Sequence, residues 1–361
     1  MVPDAIPFSS LRRALVIKLR HHGDVLLTTP VFSALKRAAP QCEIDALVYA
    51  DTRQMLEGHP AISRIHCIDR AWKRLGPLGQ ASAEWRLLST LRDRGYDFVI
   101  HLTEHRRGAW LVRLLNPRWS VAPRVGSRGK SWTATFTHLY PKPLAGGRHT
   151  VERNLDGLRR VGLQPTDADK QLVLVPGTEA EARIDALMDQ RGLTADRFVH
   201  LHPASRWLFK CWSATKVARL ADTLSARSLP VVLTAAPDEA EKALIAAILA
   251  EARTPLIDLS GQLSLKELAA LTARARLFVG VDSAPMHIAA AMGTPTVALF
   301  GPSGDIEWGP WRVAHRVVAS DQHPCRPCGL DGCGGGKVSE CLTTLPVERV
   351  LAACEDLLLH Q

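Results

Sequence analysis

A chain of 361 residues, 46% apolar and 22% charged, is too long for one hydrophobic core and too apolar for disorder, so two folded domains with a cleft between them are expected. No apolar run reaches the length of a membrane span, and residues 1–10 lack the basic start and apolar stretch of a secretory signal, so the expected compartment is the cytoplasm. The formal net charge of +9 points to acidic partners: nucleic acid, an anionic membrane face or a phosphorylated substrate.

Short β-branched runs alternate with longer amphipathic stretches, the pattern of βα units in an α/β protein with parallel sheets. Strands are expected at residues 14–19, 43–49, 64–69, 98–102 and 121–126. A helix through Trp85, Leu87, Leu88 and Leu91 precedes the fourth. Residues 101–130 concentrate the charge, with Arg106, Arg107, Arg113, Arg118, Arg124, Arg128 and Lys130 against Glu104 alone. They read as a solvated face or as a docking surface for an anion. A helix at 150–161 leads into a Gly-, Pro- and charge-bearing linker at 162–170. The second half repeats the pattern, with strands at 198–202, 231–235, 256–259, 277–281 and 296–300. Open α/β sheets bind ligands beyond the carboxyl ends of their strands, which directs attention to the loops after Leu19, Leu102, His202 and Val281.

The first of these loops runs Lys18-Leu19-Arg20-His21-His22-Gly23-Asp24. Gly23 permits a tight turn, and Asp24 opens a helical segment reaching residue 37. Its carboxylate either serves chemistry in the cleft or caps the helix and complements its dipole. The third loop, His202 to Ser213, carries Ser205, Arg206 and Lys210, two cations and a hydroxyl suited to a diphosphate. Trp207 and Trp212 read as packing, and Ser213 as the cap of the next helix. In the fourth, Val281-Asp282-Ser283-Ala284-Pro285-Met286-His287, a buried strand stops at Asp282, Ser283 caps, Pro285 sits harmlessly in the first turn and Gly293 ends the helix. Such an N-terminus suits a phosphate. Asp282 would repel one, so it is expected to orient the loop or to meet the acceptor, while His287 reads as a core histidine or a site residue. Cys325, Cys328, Cys333 and Cys341 cluster in a Gly- and Pro-rich loop; structural zinc, reduced thiols and a labile disulfide are all open to them.

These residues together resemble glycosyltransferase family 9, the bacterial lipopolysaccharide heptosyltransferases, nearly end to end. The likeness is carried by the Gly23-Asp24 turn, the Lys210 loop, and Val279-Gly280-Val281-Asp282-Ser283 through His287 to Phe300-Gly301-Pro302. Ile17 to Asp24, Phe136-Thr137-His138-Leu139 and Phe209-Lys210-Cys211-Trp212 look most like the heptosyltransferase III branch of that family. The resemblance implies a GT-B fold, two Rossmann-like doubly wound domains facing across a cleft. Residues 11–165 would bind the acceptor, 171–345 the nucleotide sugar, and 346–361 would form a C-terminal helix. It also implies inverting transfer of L-glycero-D-manno-heptose from ADP-heptose to an inner-core heptose, at the cytoplasmic face of the inner membrane, with no cofactor required for catalysis.

On this reading Asp24 is the base and Lys210 stabilises the departing diphosphate, as a single displacement needs. Ser205, Arg206, Asp282, Ser283, Ala284 and His287 attend the donor, with Asp238 or Glu239 on its ribose. Arg20, His22, Arg106, Arg107 and Arg128 meet the acceptor. The same family acting at the first or second heptose position, or with another nucleotide sugar, is the nearest alternative. A nicotinamide oxidoreductase lacks its G-x-G-x-x-G fingerprint, and a nucleic-acid binder lacks any recognisable reading element.

Overall fold

The apolar runs form parallel strands that are buried on both faces, as strands covered by helices on two sides must be. The structure, a computed structural model, describes residues 4–141 and 147–359. The chain divides into two compact units, Met1–Leu174 and Val175–Gln361.

In the first unit β1 (Arg13–Ile17) leads through α1 (His22–Leu26) and α2 (Thr29–Ala38) to β2 (Glu43–Tyr49) and β3 (Arg64–Ile68). Then come α3 (Gly76–Arg94), β4 (Phe98–His101), α4 (Arg106–Leu115), β5 (Trp119–Arg124), α5 (Gly129–Thr133), β6 (His138–Pro141) and α6 (Thr150–Arg160). The sheet order is β3-β2-β1-β4-β5-β6, all parallel, which is the doubly wound nucleotide-binding order. Its switch point therefore lies between β1 and β4.

The second unit runs through α7 (Thr178–Arg191), β7 (Val199–His202), α8 (Ala214–Ser225), β8 (Val231–Leu233), α9 (Glu239–Glu251) and β9 (Ile257–Asp258). It continues with α10 (Leu265–Ala273), β10 (Leu277–Val281), α11 (Ala284–Met292), β11 (Thr296–Phe300) and β12 (His315–Ala319), and closes on the helix Val347–Leu359. Its sheet, β12-β11-β10-β7-β8-β9, repeats the same winding and places the switch point between β7 and β10. Alternate residues serve the two faces. Val199, Leu201, Val231, Leu233 and Val279 pack with α8, α9 and the closing helix through Leu220, Ile245 and Val350. Phe198 and Val232 meet α7 and α10 through Ile184 and Leu271, while Phe278 and Phe300 meet α11 through Met286.

Several expectations shift in detail. The helix expected from Asp24 to residue 37 is two helices. Pro30 has no N–H for the carbonyl of Leu26, so the ladder breaks, and the hydroxyls of Thr28 and Thr29 bond the carbonyls of Val25 (2.6 Å) and Leu26 (2.9 Å) instead. Asp24 thus falls inside α1, whose N-cap is His21. Edge strands β6 and β12 were not anticipated, and β5 begins two residues earlier than expected, at Trp119. The segment 162–170 is not a free linker. The Asp169 carboxylate accepts from the Arg37 guanidinium at 2.9 Å and from both the N–H and hydroxyl of Thr166 at 2.7 and 2.8 Å, which ties it to the first unit. The closing helix shares the second unit's core through Val350, Cys354 and Leu357; residues 360 and 361 lie outside the described residues.

Four buried histidines bear on stability. Burial pushes His59 and His101 down to about 4, His202 to about 3, and His200 well below its ordinary value. Their folded-state values lie below the unfolded one, so their contribution is complete above about pH 6.5 and is lost as pH falls toward 4. For His59 and His101 a shift of this size corresponds to about 3 kcal/mol each at the acid end. Urea midpoints are expected to fall steeply between pH 6.5 and 4.5, before most carboxylates titrate. A midpoint constant across that window would contradict this account.

Candidate functional site

The second unit's switch point gathers the residues expected around a nucleotide. His200 and His202 are buried in β7, and their hydrogen bonds fix their tautomers. Thr272 Oγ1 donates to the Leu268 carbonyl (2.6 Å), so it accepts from His200 Nδ1–H (3.0 Å). His200 Nε2 then accepts the Thr234 hydroxyl (2.7 Å), and Thr234 accepts His202 Nδ1–H (2.8 Å). Both imidazoles are therefore neutral, and the strand end they fix carries Ser205 to Lys210.

Lys210 ends a short 3-10 turn, Leu208–Lys210. Its Nζ lies 2.5 Å from Asp282 Oδ2, at the end of β10, and 5.1 Å from the centre of the Trp207 ring. The side chains are 17% and 9% exposed, so the pair is desolvated while the ammonium stays reachable. Asp282 holds that ammonium in place and neutralises it, which agrees with an orienting part for the carboxylate; a diphosphate arriving here would compete with it for the same charge. Gly280, beside His202 in the register, has no room for a side chain: a Cβ there would stand 2.7 Å from the Phe278 ring and 3.0 Å from the His202 carbonyl.

Ser283 is the N-cap of α11 by position, but its hydroxyl turns back to the Val281 carbonyl (3.4 Å) and makes no cap bond. Ala284 and Pro285 form the first turn, and Gly293 ends the helix in the left-handed region (φ 76°). His287 is buried, with Trp308 at 6.5 Å between ring centres. Ser205 is buried, its Oγ accepting the Trp207 N–H (3.4 Å), and Arg206 is exposed. Ser213 caps α8 by position without a side-chain bond.

The acidic residues after β8 separate by burial. Asp238 is spent as N-cap of α9, accepting from Ala240 (3.0 Å) and Glu241 (3.3 Å). Glu239 is 93% exposed and pairs with Lys242. Glu241, which the sequence reading passed over, is the buried carboxylate of this turn: it accepts the Ala236 N–H (2.9 Å), and burial pushes its pKa up. The only signal in the sequence is its i+3 spacing from a capping aspartate.

In the first unit, Asp24 lies 3.9 Å from Lys18 Nζ and 3.8 Å from Arg20 Nε, and its side chain is 15% exposed. It makes no cap bond, and among the described residues no donor stands within hydrogen-bonding distance, so its oxygens are open to a proton. Lys18, to which the sequence reading gave no part, is buried. Its Nζ donates to Asn154 Oδ1 (3.1 Å), whose amide donates in turn to the Leu27 carbonyl (2.9 Å). Burial pulls Lys18 down to about 8, against the raising effect of Asp24. His22 is tethered to the Asp51 carbonyl (2.9 Å).

The basic stretch is not one surface. Arg107 pairs with Glu84 and lies over the Trp72 ring. Arg106 and Arg128 make no ion pair with a carboxylate among the described residues, and the same holds for Arg113.

The cysteine loop is anchored to the end of β11 by Arg326, whose Nε donates to the Gly301 carbonyl (2.6 Å). Cys325, Cys328 and Cys333 are exposed, Cys341 is buried, and all are free thiols. Among the described residues no group of three or more His, Cys, Asp or Glu side chains is arranged to hold a metal ion, and no step is assigned to one.

Comparison with known proteins agrees with the folds of both units. The chain is 36% identical over 344 residues to lipopolysaccharide heptosyltransferase 3 of Escherichia coli, covering 94% of this chain and 96% of that one. Among solved structures it resembles the family 9 glycosyl transferase of Veillonella parvula (TM-score 0.84, 24% identity, 99% and 100% covered). It also resembles an E. coli heptosyltransferase solved with ADP-2-deoxy-2-fluoro heptose (TM-score 0.73, 19% identity, 95% and 99% covered). The model of glycosyltransferase family 9 (heptosyltransferase) matches residues 84–338, and with that match and the extent of the E. coli likeness, this chain belongs to glycosyltransferase family 9 and is a glycosyltransferase.

Proposed function

We propose that this enzyme transfers L-glycero-D-manno-heptose from ADP-heptose to an inner-core heptose of lipopolysaccharide, inverting the anomeric carbon in a single displacement. The observation that carries the reading is the desolvated Lys210–Asp282 pair at the second unit's switch point, a fixed ammonium at the strand end where a nucleotide diphosphate binds in such sheets. The likeness to lipopolysaccharide heptosyltransferase 3 supports the choice of sugar and acceptor.

In this account Asp24 takes the acceptor hydroxyl's proton as that oxygen attacks, and Lys210 meets the charge that develops on the departing ADP. Lys18 and Arg20 hold the Asp24 carboxylate. The N–H groups at the start of α11, from Ala284 onward, and the Ser205 and Ser283 hydroxyls attend the donor phosphates with Arg206. The acidic turn after β8, with Asp238, Glu239 and Glu241, attends the ribose. Arg20 and His22 flank the acceptor.

Among the described residues no helix is long and apolar enough to cross a membrane. We place the enzyme in the cytoplasm, with peripheral contact at the inner membrane where its acceptor is presented. The test is a donor panel: ADP-heptose, ADP-glucose, UDP-glucose and GDP-mannose, each offered with a heptose-bearing core, with product read by mass. Transfer from ADP-heptose alone is the expected result. Transfer from another sugar in its place, or none from any, would overturn the donor assignment.

A further inference from the structure

Single exposed apolar side chains are ordinary, but the start of α3 turns three large ones outward together. Leu75, Leu78 and Trp85 are 55%, 89% and 64% exposed. Leu78 and Trp85 lie seven residues apart on one face of the helix, with Ser82 and Ser89 exposed on the same stripe, while Leu87, Leu88 and Leu91 fill the first unit's core from the opposite face. Leu75 immediately precedes the helix, and Gly79 makes room for it: a Cβ at 79 would stand 2.8 Å from Leu75 Cβ.

Cations surround these three side chains. Lys73, Arg74 and Arg86 are exposed, and among the described residues none of them pairs with a carboxylate. Of the acids on α3, Glu84 is taken by Arg107, and Asp93 lies at the far end of the helix. An apolar stripe is thus rimmed by unopposed positive charge.

The backbone ties this face to the Asp24 turn. β1 and β3 run parallel in one sheet, so the 3-10 turn Arg70–Arg74 that leads into α3 stands at the same carboxyl edge as Asp24. Arg70 lies 3.5 Å from the Asp51 carboxylate and 4.1 Å from the centre of the Tyr49 ring, and the Asp51 carbonyl holds His22 at 2.9 Å. One short turn, Ala50–Met55, therefore braces both the start of α3 and the helix that carries Asp24.

We infer that the start of α3 docks on an anionic lipid bilayer, with Leu75, Leu78 and Trp85 entering the boundary of the acyl chains and Lys73, Arg74 and Arg86 on the headgroup phosphates. A Trp and two Leu flanked by Lys and Arg match a surface that is apolar beneath and negative at its rim, and long basic side chains reach that rim while the helix lies flat. Docking there sets the carboxyl edge bearing Asp24 beside the surface from which an anchored acceptor's sugars project.

The use made of this face rests on the proposed lipopolysaccharide acceptor, and the test separates the two. Full-length protein is sedimented with vesicles of phosphatidylcholine alone or mixed with phosphatidylglycerol, without donor or acceptor. Wild type is expected to bind the mixed vesicles, and L78S/W85S to bind them about tenfold or more weakly. K73Q/R74Q/R86Q should weaken binding similarly and flatten its dependence on salt. Both variants should keep the wild-type kcat/KM on a deacylated, water-soluble core and lose about tenfold on acceptor embedded in vesicles. No binding by wild type, equal binding by the variants, or a wild-type dimer that L78S/W85S dissolves, which would give the face to a second copy, overturns the inference while normal transfer leaves the proposed function standing. Absence of wild-type transfer to either acceptor would overturn the proposed function, whereas the vesicle measurement stands without it.

Discussion

Asp24→Asn is expected to lower heptose transfer by about 10³-fold while ADP-heptose binding stays within a factor of a few, because the amide keeps the shape of the side chain and cannot accept the proton. The effect should be large because the charged neighbours of the carboxylate, Lys18 and Arg20, are cations that cannot replace it, and among the described residues its oxygens carry no hydrogen bond. Asp24 lies in the first unit and the expected donor residues in the second, so kcat and donor affinity should separate. Calorimetric titration of ADP-heptose beside single-turnover transfer checks this. A loss under tenfold would remove Asp24 from the chemistry.

Lys210→Met is expected to cost about 10²- to 10³-fold in kcat, the usual loss when one preorganised partner of a developing charge is removed. It should also destabilise the second unit by about 3 kcal/mol, because it leaves the Asp282 carboxylate desolvated and alone. The double variant K210M/D282N separates the two effects. Removing both charges relieves the uncompensated burial, so stability should return while transfer stays low. Should transfer return along with stability, Lys210 would matter only as the partner of Asp282.

Much of this was legible in the sequence, and particular residues show why the rest was not. The central strands of both sheets are continuous apolar runs because helices cover both faces, and such runs stand out. β6 and β12 do not: the first is four residues long and ends in Pro141, and the second begins His315-Arg316, as edge strands tolerate. The Asp24, Lys210 and Asp282 loops could be found because strand, turn and helix cap follow in order. That Lys210 and Asp282 meet, 72 residues apart, follows only from the winding that sets β7 beside β10.

What the sequence left open shares one cause: a residue's type does not say whether its charge is already paired. Arg107 and Arg113 look alike in the chain, yet Glu84, 23 residues upstream, neutralises one and leaves the other. Asp238, Glu239 and Glu241 are equally acidic, and burial alone tells the cap, the solvated side chain and the retained carboxylate apart. The cysteine spacing is suggestive on paper, whereas in the fold three thiols face solvent and one is buried.

The central claim is tested most directly by offering ADP-heptose with cores bearing no, one or two heptoses and weighing the products. A single heptose added to the two-heptose core, and to neither shorter one, is the expected result. Addition to a shorter core would contradict the assigned acceptor, and no addition to any core would contradict the proposed activity itself.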